Sequence, residues 1–246
     1  MQWIAACLIV WAQLAVAAGV GSDLRINVRL VDYADVPKAT LMKAERQVTG
    51  IFHDADVATE WLNCKPISGQ PPCVWIPTGP VLLIQVLPEE MIRHVGLGRL
   101  ALACSIVPVE SSSEEEFSTD AYVCFPRVSA MAISNAPYRE RNDWTSAILG
   151  SVMAHELGHL LGIRAHQMFG LMYTPWSLQE VNLARQGRLL FTSEEKRKIQ
   201  AHLHRRMIAA GYSSLGTDAA LVNPKAGNQE TRDGDLKSRL PTPTTR

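Results

Sequence analysis

The segment from Trp144 to Ile163 constrains this chain more than any other, because Glu156 is its only formally charged side chain. On a helical wheel Ile148, Leu149, Val152, Met153, Leu157, Leu160 and Leu161 cover most of the circumference. Ala147, Ser151, Ala154 and Gly158 leave a narrow strip of small residues on the remaining side. A helix apolar nearly all round belongs in a core. This one nevertheless carries His155, Glu156 and His159. A carboxylate buried without a partner costs several kcal/mol, roughly, so such a helix needs something that compensates it.

The spacing says what that is. His155 and His159 are one helical turn apart on one face, which lets both imidazoles reach a single tetrahedral ion. Glu156 is rotated by about 100° from His155, outside the ligand row but within reach of a water beside the metal. Together they form H-E-x-x-H, a zinc-binding pattern with the Glu as general base. Gly162 follows and can end the helix in a left-handed conformation that turns the chain back. His166 and then Gly170-Leu171-Met172-Tyr173 come next, so three of the seven histidines fall between positions 155 and 166. His53, His94, His202 and His204 read as surface or ordinary packing residues.

The run His155-Glu156-Leu157-Gly158-His159-Leu160-Leu161-Gly162, a later His and a Leu-Met-Tyr turn resemble the metzincin metalloproteases, whose pattern is H-E-x-x-H-x-x-G-x-x-H plus a Met-turn. The sequence is also similar to secreted bacterial zincins in which the third His lies farther along. The resemblance covers His155 to Tyr173 by motif and Leu24 to Gly211 by the order of elements. It implies a zinc-dependent endopeptidase acting on polypeptides, with Zn2+ held by His155, His159 and His166 and with Glu156 as general base. Met172 would then form an apolar floor, and Tyr173 to Trp176 would wall the primed-side pocket. One position departs from the pattern: the third ligand would fall at Ala165, and His166 comes one residue late. Glu180, placed as in gluzincins, is the competing third ligand. A non-catalytic module that keeps zinc for structure is the alternative of a different class.

The chain has 246 residues, 24 basic and 24 acidic side chains, and 47% apolar residues. A balanced charge gives no electrostatic drive toward nucleic acid or an anionic membrane. Trp3 to Ala18 is apolar and ends in Ala15-Val16-Ala17, the small-x-small pattern of a signal peptidase site. The expected organisation is a signal peptide over 1–18, a catalytic domain over 19–211 and a disordered tail over 212–246, with a secreted or periplasmic location. An uncleaved membrane anchor is the competing reading of the N-terminus. So few residues separate Ala17 from Leu24 that no covering pro-segment is expected, and restraint would fall to a partner inhibitor, metal supply or the tail after Ser213.

Export leaves four cysteines, for which Cys64–Cys73 and Cys104–Cys124 are the expected disulfides. Strands are expected at Leu24 to Leu30, Val57 to Trp61, Val81 to Leu87, Leu100 to Val107 and Ala121 to Phe125. Helices are expected after Pro37, from about Asn142 to Leu161, and from the Thr192-x-x-Glu195 capping box to Gly211. Ser111 to Glu116 reads as a solvated loop. The order implies an α+β fold with a mixed sheet, an active-site helix and a C-terminal helix.

Overall fold

Arg25–Asp32, which alternates polar with aliphatic residues as far as Leu30, forms β1, on which the sheet is built. It pairs in parallel with β2 (Ala58–Cys64) on one side and β3 (Val81–Leu87) on the other. β5 (Asp120–Cys124) continues the parallel array beyond β3, and β4 (Ala103–Ser105) closes it as an antiparallel edge. The order is therefore β2-β1-β3-β5-β4, a five-stranded mixed sheet. This computed structural model describes residues 24–64, 79–95, 97–98, 101–106 and 119–211. The signal pattern, the Ser111 to Glu116 loop, Cys73 and the 212–246 tail lie outside them.

The Asp32 carboxylate accepts from the Ala34 and Val36 amides and turns the chain out of β1. Pro37 then precedes α1 (Lys38–His53), whose buried face is Thr40, Ala44, Val48, Ile51 and Phe52. α4 (Arg141–Leu160) is the expected active-site helix, and it is buried almost without interruption from Trp144 to Leu160. It is sandwiched between α1, the sheet and the C-terminal segments. Thr192 and Glu195 form the expected reciprocal cap of the last helix, α6 (Ser193–Ala209). Just before that cap, Phe191 meets Phe52 edge to face, with centroids 5.4 Å apart.

α4 and α1 touch at Gly150. A Cβ built there would lie 2.6 Å from the Ala44 carbonyl oxygen and 2.6 Å from Gln47 Cβ, so the backbones meet because this residue has no side chain. Gly150→Ala should therefore destabilise the fold by about 1–3 kcal/mol despite the better helix propensity of alanine. At ~2–4 °C per kcal/mol for a domain of this size, the thermal midpoint drops by several degrees in calorimetry. A midpoint unchanged or raised would show that the helices can separate at no cost.

The structure adds three helices that the sequence reading omits: α2 (Glu89–Val95), α3 (Phe125–Asn135) and α5 (Leu178–Arg185). The strand expected to include Phe125 ends at Cys124, because Phe125-Pro126 opens α3 and Pro at the start of a helix lacks only an amide that would have no partner there. Of the strand expected over Leu100 to Val107, Ala103–Ser105 is observed.

The Cys104–Cys124 disulfide is also corrected, since both thiols are free. The register sets Cys104 opposite Tyr122, while Cys124 donates its amide to the Leu102 carbonyl. The two cysteines are diagonal neighbours, about 7–8 Å apart, beyond the reach of a disulfide. Cys124 Sγ instead donates to Glu89 Oε2 at 3.2 Å. Cys64 is bridged rather than free. Its expected partner Cys73 is outside the described residues.

Candidate metal centre

The end of α4 builds the site. Gly162 has φ +94°, its amide donates to the His159 carbonyl, and the Ile163 amide reaches back to the Gly158 carbonyl. This is a Schellman turn that needs a residue free to adopt positive φ. A Cβ at Gly162 would also lie 2.8 Å from His202 Nδ1. The chain emerges at Ile163 with its carbonyl facing back toward the helix, where it accepts from His159 Nδ1 at 2.5 Å. Arg164, Ala165 and His166 then run along the surface. The segment 167–173 is closed on itself, with Gln167 bridging Tyr173 and donating its amide to the Met172 carbonyl.

That closure brings the Leu171 carbonyl to 2.8 Å from His155 Nδ1. A carbonyl can only accept, so both Nδ1 atoms carry the proton and both Nε2 atoms present lone pairs. His159 Nε2 lies 3.1 Å from His155 Nε2 and 3.3 Å from His166 Nε2. Ligand atoms of all three residues lie within 4.8 Å of one another. Lone pairs facing at such distances repel unless a cation joins them. A tetrahedral zinc with nitrogens at about 2.0–2.1 Å would space them about 3.3–3.4 Å apart. The three residues fit that ion in donor type and spacing, and His155 and His159 fit it in tautomer as well.

Burial pushes His155 down to about 4, with the neighbouring imidazoles adding to it, and burial lowers His159 as well. Both rings are thus neutral and able to ligate near pH 7. Glu156 sits one residue on, only 6% exposed, and its Oε2 has no hydrogen-bond partner. Burial pushes its carboxyl up to about 8, and the Ser105 hydroxyl, bonding the charged form, pulls it part of the way back. A cation at the histidines would supply the missing compensation.

Met172 is fully buried, with Sδ 2.9 Å from where a Gly158 Cβ would stand. It lies under the small-residue strip of α4. Trp176 meets the His155 ring edge to face at 6.2 Å between centroids. Glu180 is elsewhere in role: at the third position of α5 it accepts from the Ser177 amide at 2.8 Å and completes a capping box. The structure brings together His155, His159 and His166 and leaves Glu180 out of that cluster. His53, His94 and His204 are exposed, and His202 packs against Gly162.

Two contributors escaped the sequence reading: Ser105 on the edge strand, and Met131 on α3, which lines the same cavity as Glu156. The signal for α3 was the Phe125-Pro126 start followed by Val128 and Ala132 at helical spacing.

The class defined by fold and site is a mixed-sheet protein with a three-histidine centre at the end of a buried helix. No family model matches the sequence. No curated protein matches it either. Similar solved structures include archaemetzincin from Methanopyrus kandleri, at 17% identity and a TM-score of 0.40, with 76% of this chain and 99% of that chain covered. A likeness of that size assigns neither family nor activity.

Proposed function

We propose that the chain is a zinc-dependent endopeptidase of metzincin type. The observation that carries the reading is the convergence of three imidazole Nε2 atoms beside a buried carboxylate oxygen that no protein group satisfies. His155, His159 and His166 would hold the ion, and the Leu171 and Ile163 carbonyls keep two of the rings in the ligating tautomer. When bound, zinc supplies a Lewis acid that polarises a carbonyl and acidifies water. Glu156, whose Oε2 has no hydrogen-bond partner, lines the same cavity as His155 and His166. There it takes a proton from the attacking water and returns it to the leaving amine. The half-buried Trp176 and the buried Met172 keep the surroundings apolar, which strengthens each of these interactions.

The same reading includes a polypeptide substrate, a protein inhibitor as the external restraint, and export directed by the apolar N-terminus. No described helix is long and apolar enough to cross a membrane.

Purified protein should contain one zinc per chain and cleave an unfolded substrate such as casein. A strong chelator should abolish cleavage, and added zinc should restore it. Full zinc occupancy with no cleavage of casein or of a broad peptide library would favour the non-catalytic binding module.

A further inference from the structure

The turn between His166 and Met172 carries two adjacent apolar side chains for which the fold has no use. Met168 is 86% exposed and Phe169 69%, whereas Leu171 and Met172 just beyond them are fully buried. Among the described residues, no other two large apolar side chains adjacent in sequence are both exposed. The base of this turn is pinned on both sides. Gln167 bridges Tyr173 and donates its amide to the Met172 carbonyl at 3.0 Å. Gly170 has φ +82°, and a Cβ there would lie 3.2 Å from both the Leu190 carbonyl oxygen and Thr192 Cγ2. The Leu171 amide donates to that same Leu190 carbonyl. The tip is thus held out in water, where apolar surface is costly.

The chain around the tip carries no negative charge. From Leu157 to Gln179 there is no Asp or Glu, and the one fixed cation, Arg164, is exposed. Gly162 packs on His202, seven residues along α6 from Glu195, which Gly170 approaches. The segment 162–170 therefore runs about 10 Å along one side of α6. Burial, and then the charges of Arg206, Arg205 and Arg164, push His202 down to about 4, so three cations act on one place beside that segment. Arg205 is exposed, as is Arg188, two residues before Leu190. The acids at the start of α6 are already engaged. Glu195 caps the helix with Thr192, and Glu194 pairs with Lys198 at 2.6 Å. An apolar tip backed by cations complements a surface that is apolar within and anionic at its face.

Shape selects among such surfaces. A stable protein–protein contact takes about 800 Å² from each partner, packed over a broad patch. Two side chains projecting from one tight turn are convex and far smaller than that. A bilayer deforms around such a projection and takes apolar side chains at headgroup depth, with Arg stems alongside. We propose that the Met168–Phe169 turn inserts into the interfacial layer of bilayers containing anionic phospholipid, with Arg164, Arg188 and Arg205 toward the headgroups. The zero net charge of the whole chain gives no long-range pull. The apolar tip therefore supplies the drive, and the local arginines supply the lipid preference. The proposal does not depend on the peptidase reading.

The test floats the exported protein, freed of its apolar N-terminus, with vesicles of phosphatidylcholine alone or mixed with phosphatidylglycerol. The wild type should float with both, and more strongly with the anionic mixture. Full burial of one Phe or Met side chain is worth about 10–100-fold in such a partition. The double variant Met168→Ser, Phe169→Ser should therefore bind both vesicles about tenfold more weakly or worse. Arg164→Gln should lose about fivefold on the anionic vesicles and keep its binding to the neutral ones. Tyr138→Ser, which removes an aromatic 81% exposed on another part of the surface, should change nothing. Unchanged thermal midpoints would show that each variant keeps its fold. Flotation of the double variant equal to the wild type, or an equal loss in Tyr138→Ser, would overturn the proposal. So would a wild type that ignores both vesicles but self-associates through the tip, which would assign these two residues to a protein contact.

Discussion

Glu156→Gln should leave a folded, zinc-loaded protein whose kcat/KM for peptide cleavage is about 10³-fold lower. The amide keeps the size and shape of the carboxyl, so the cavity is neither emptied nor overfilled. It cannot take a proton from water, however, and that is the role assigned to Oε2. Stability should move the other way. Glu156 is buried, one of its oxygens has no partner, and burial raises its pKa to about 8, so the ionised form is costly to hold. Replacing it by a neutral group removes that cost. The thermal midpoint of the variant should equal or exceed the wild type in the metal-free protein. Zinc content by atomic absorption, a thermal melt and the cleavage rate together check the expectation. Equal turnover by both proteins would remove Glu156 from the chemistry. Loss of zinc along with activity would mean that its carboxylate ligates.

The centre was legible because burial and charge conflict within one helix. A helix as apolar as Trp144 to Ile163 has few reasons to keep His155, Glu156 and His159, and their spacing names the reason. Gly162 was legible for the same kind of cause: its positive φ is a backbone requirement that one residue type meets cheaply. The parallel strands β1 and β3 announced themselves by alternation or by a nearly all-apolar run.

Other features depend on long-range registration that local pattern does not encode. Nothing in the spacing of Cys104 and Cys124 tells that the β4–β5 register places Tyr122, not Cys124, opposite Cys104. Gly150 reads locally as a weak helix residue, and its purpose appears only with α1 against it. Met131 looks like a core position on a short segment, because the cavity it lines is assembled from residues distant in sequence. The start of α5 was a different kind of miss. Ser177-x-x-Glu180 is a local capping box, as readable as Thr192-x-x-Glu195, and α5 follows from it.

That cap occupies the carboxylate that competes with His166 for the role of third ligand. His166→Ala should weaken zinc binding by at least ~100-fold, since removing a ligand costs no less than the 10–100-fold loss of an outer partner. Glu180→Ala should leave zinc affinity within about twofold and lower stability by about 1 kcal/mol or less, the cost of a weakened cap. The late position of His166 does not count against it. Ile163 is anchored by its amide to Gly158 and by its carbonyl to His159, and the next three residues lie at the surface. One extra residue there is absorbed by exposed backbone at Arg164 and Ala165, and His166 still brings Nε2 to 3.3 Å from His159 Nε2. Glu180, in contrast, is held by the Ser177 amide and hydroxyl, and would have to abandon the first turn of α5 to ligate. Competition against a chromophoric chelator measures both variants on one scale. If Glu180→Ala lost the metal and His166→Ala kept it, the centre would have two histidines and a glutamate, and the turn after Gly162 would have no part in holding the ion.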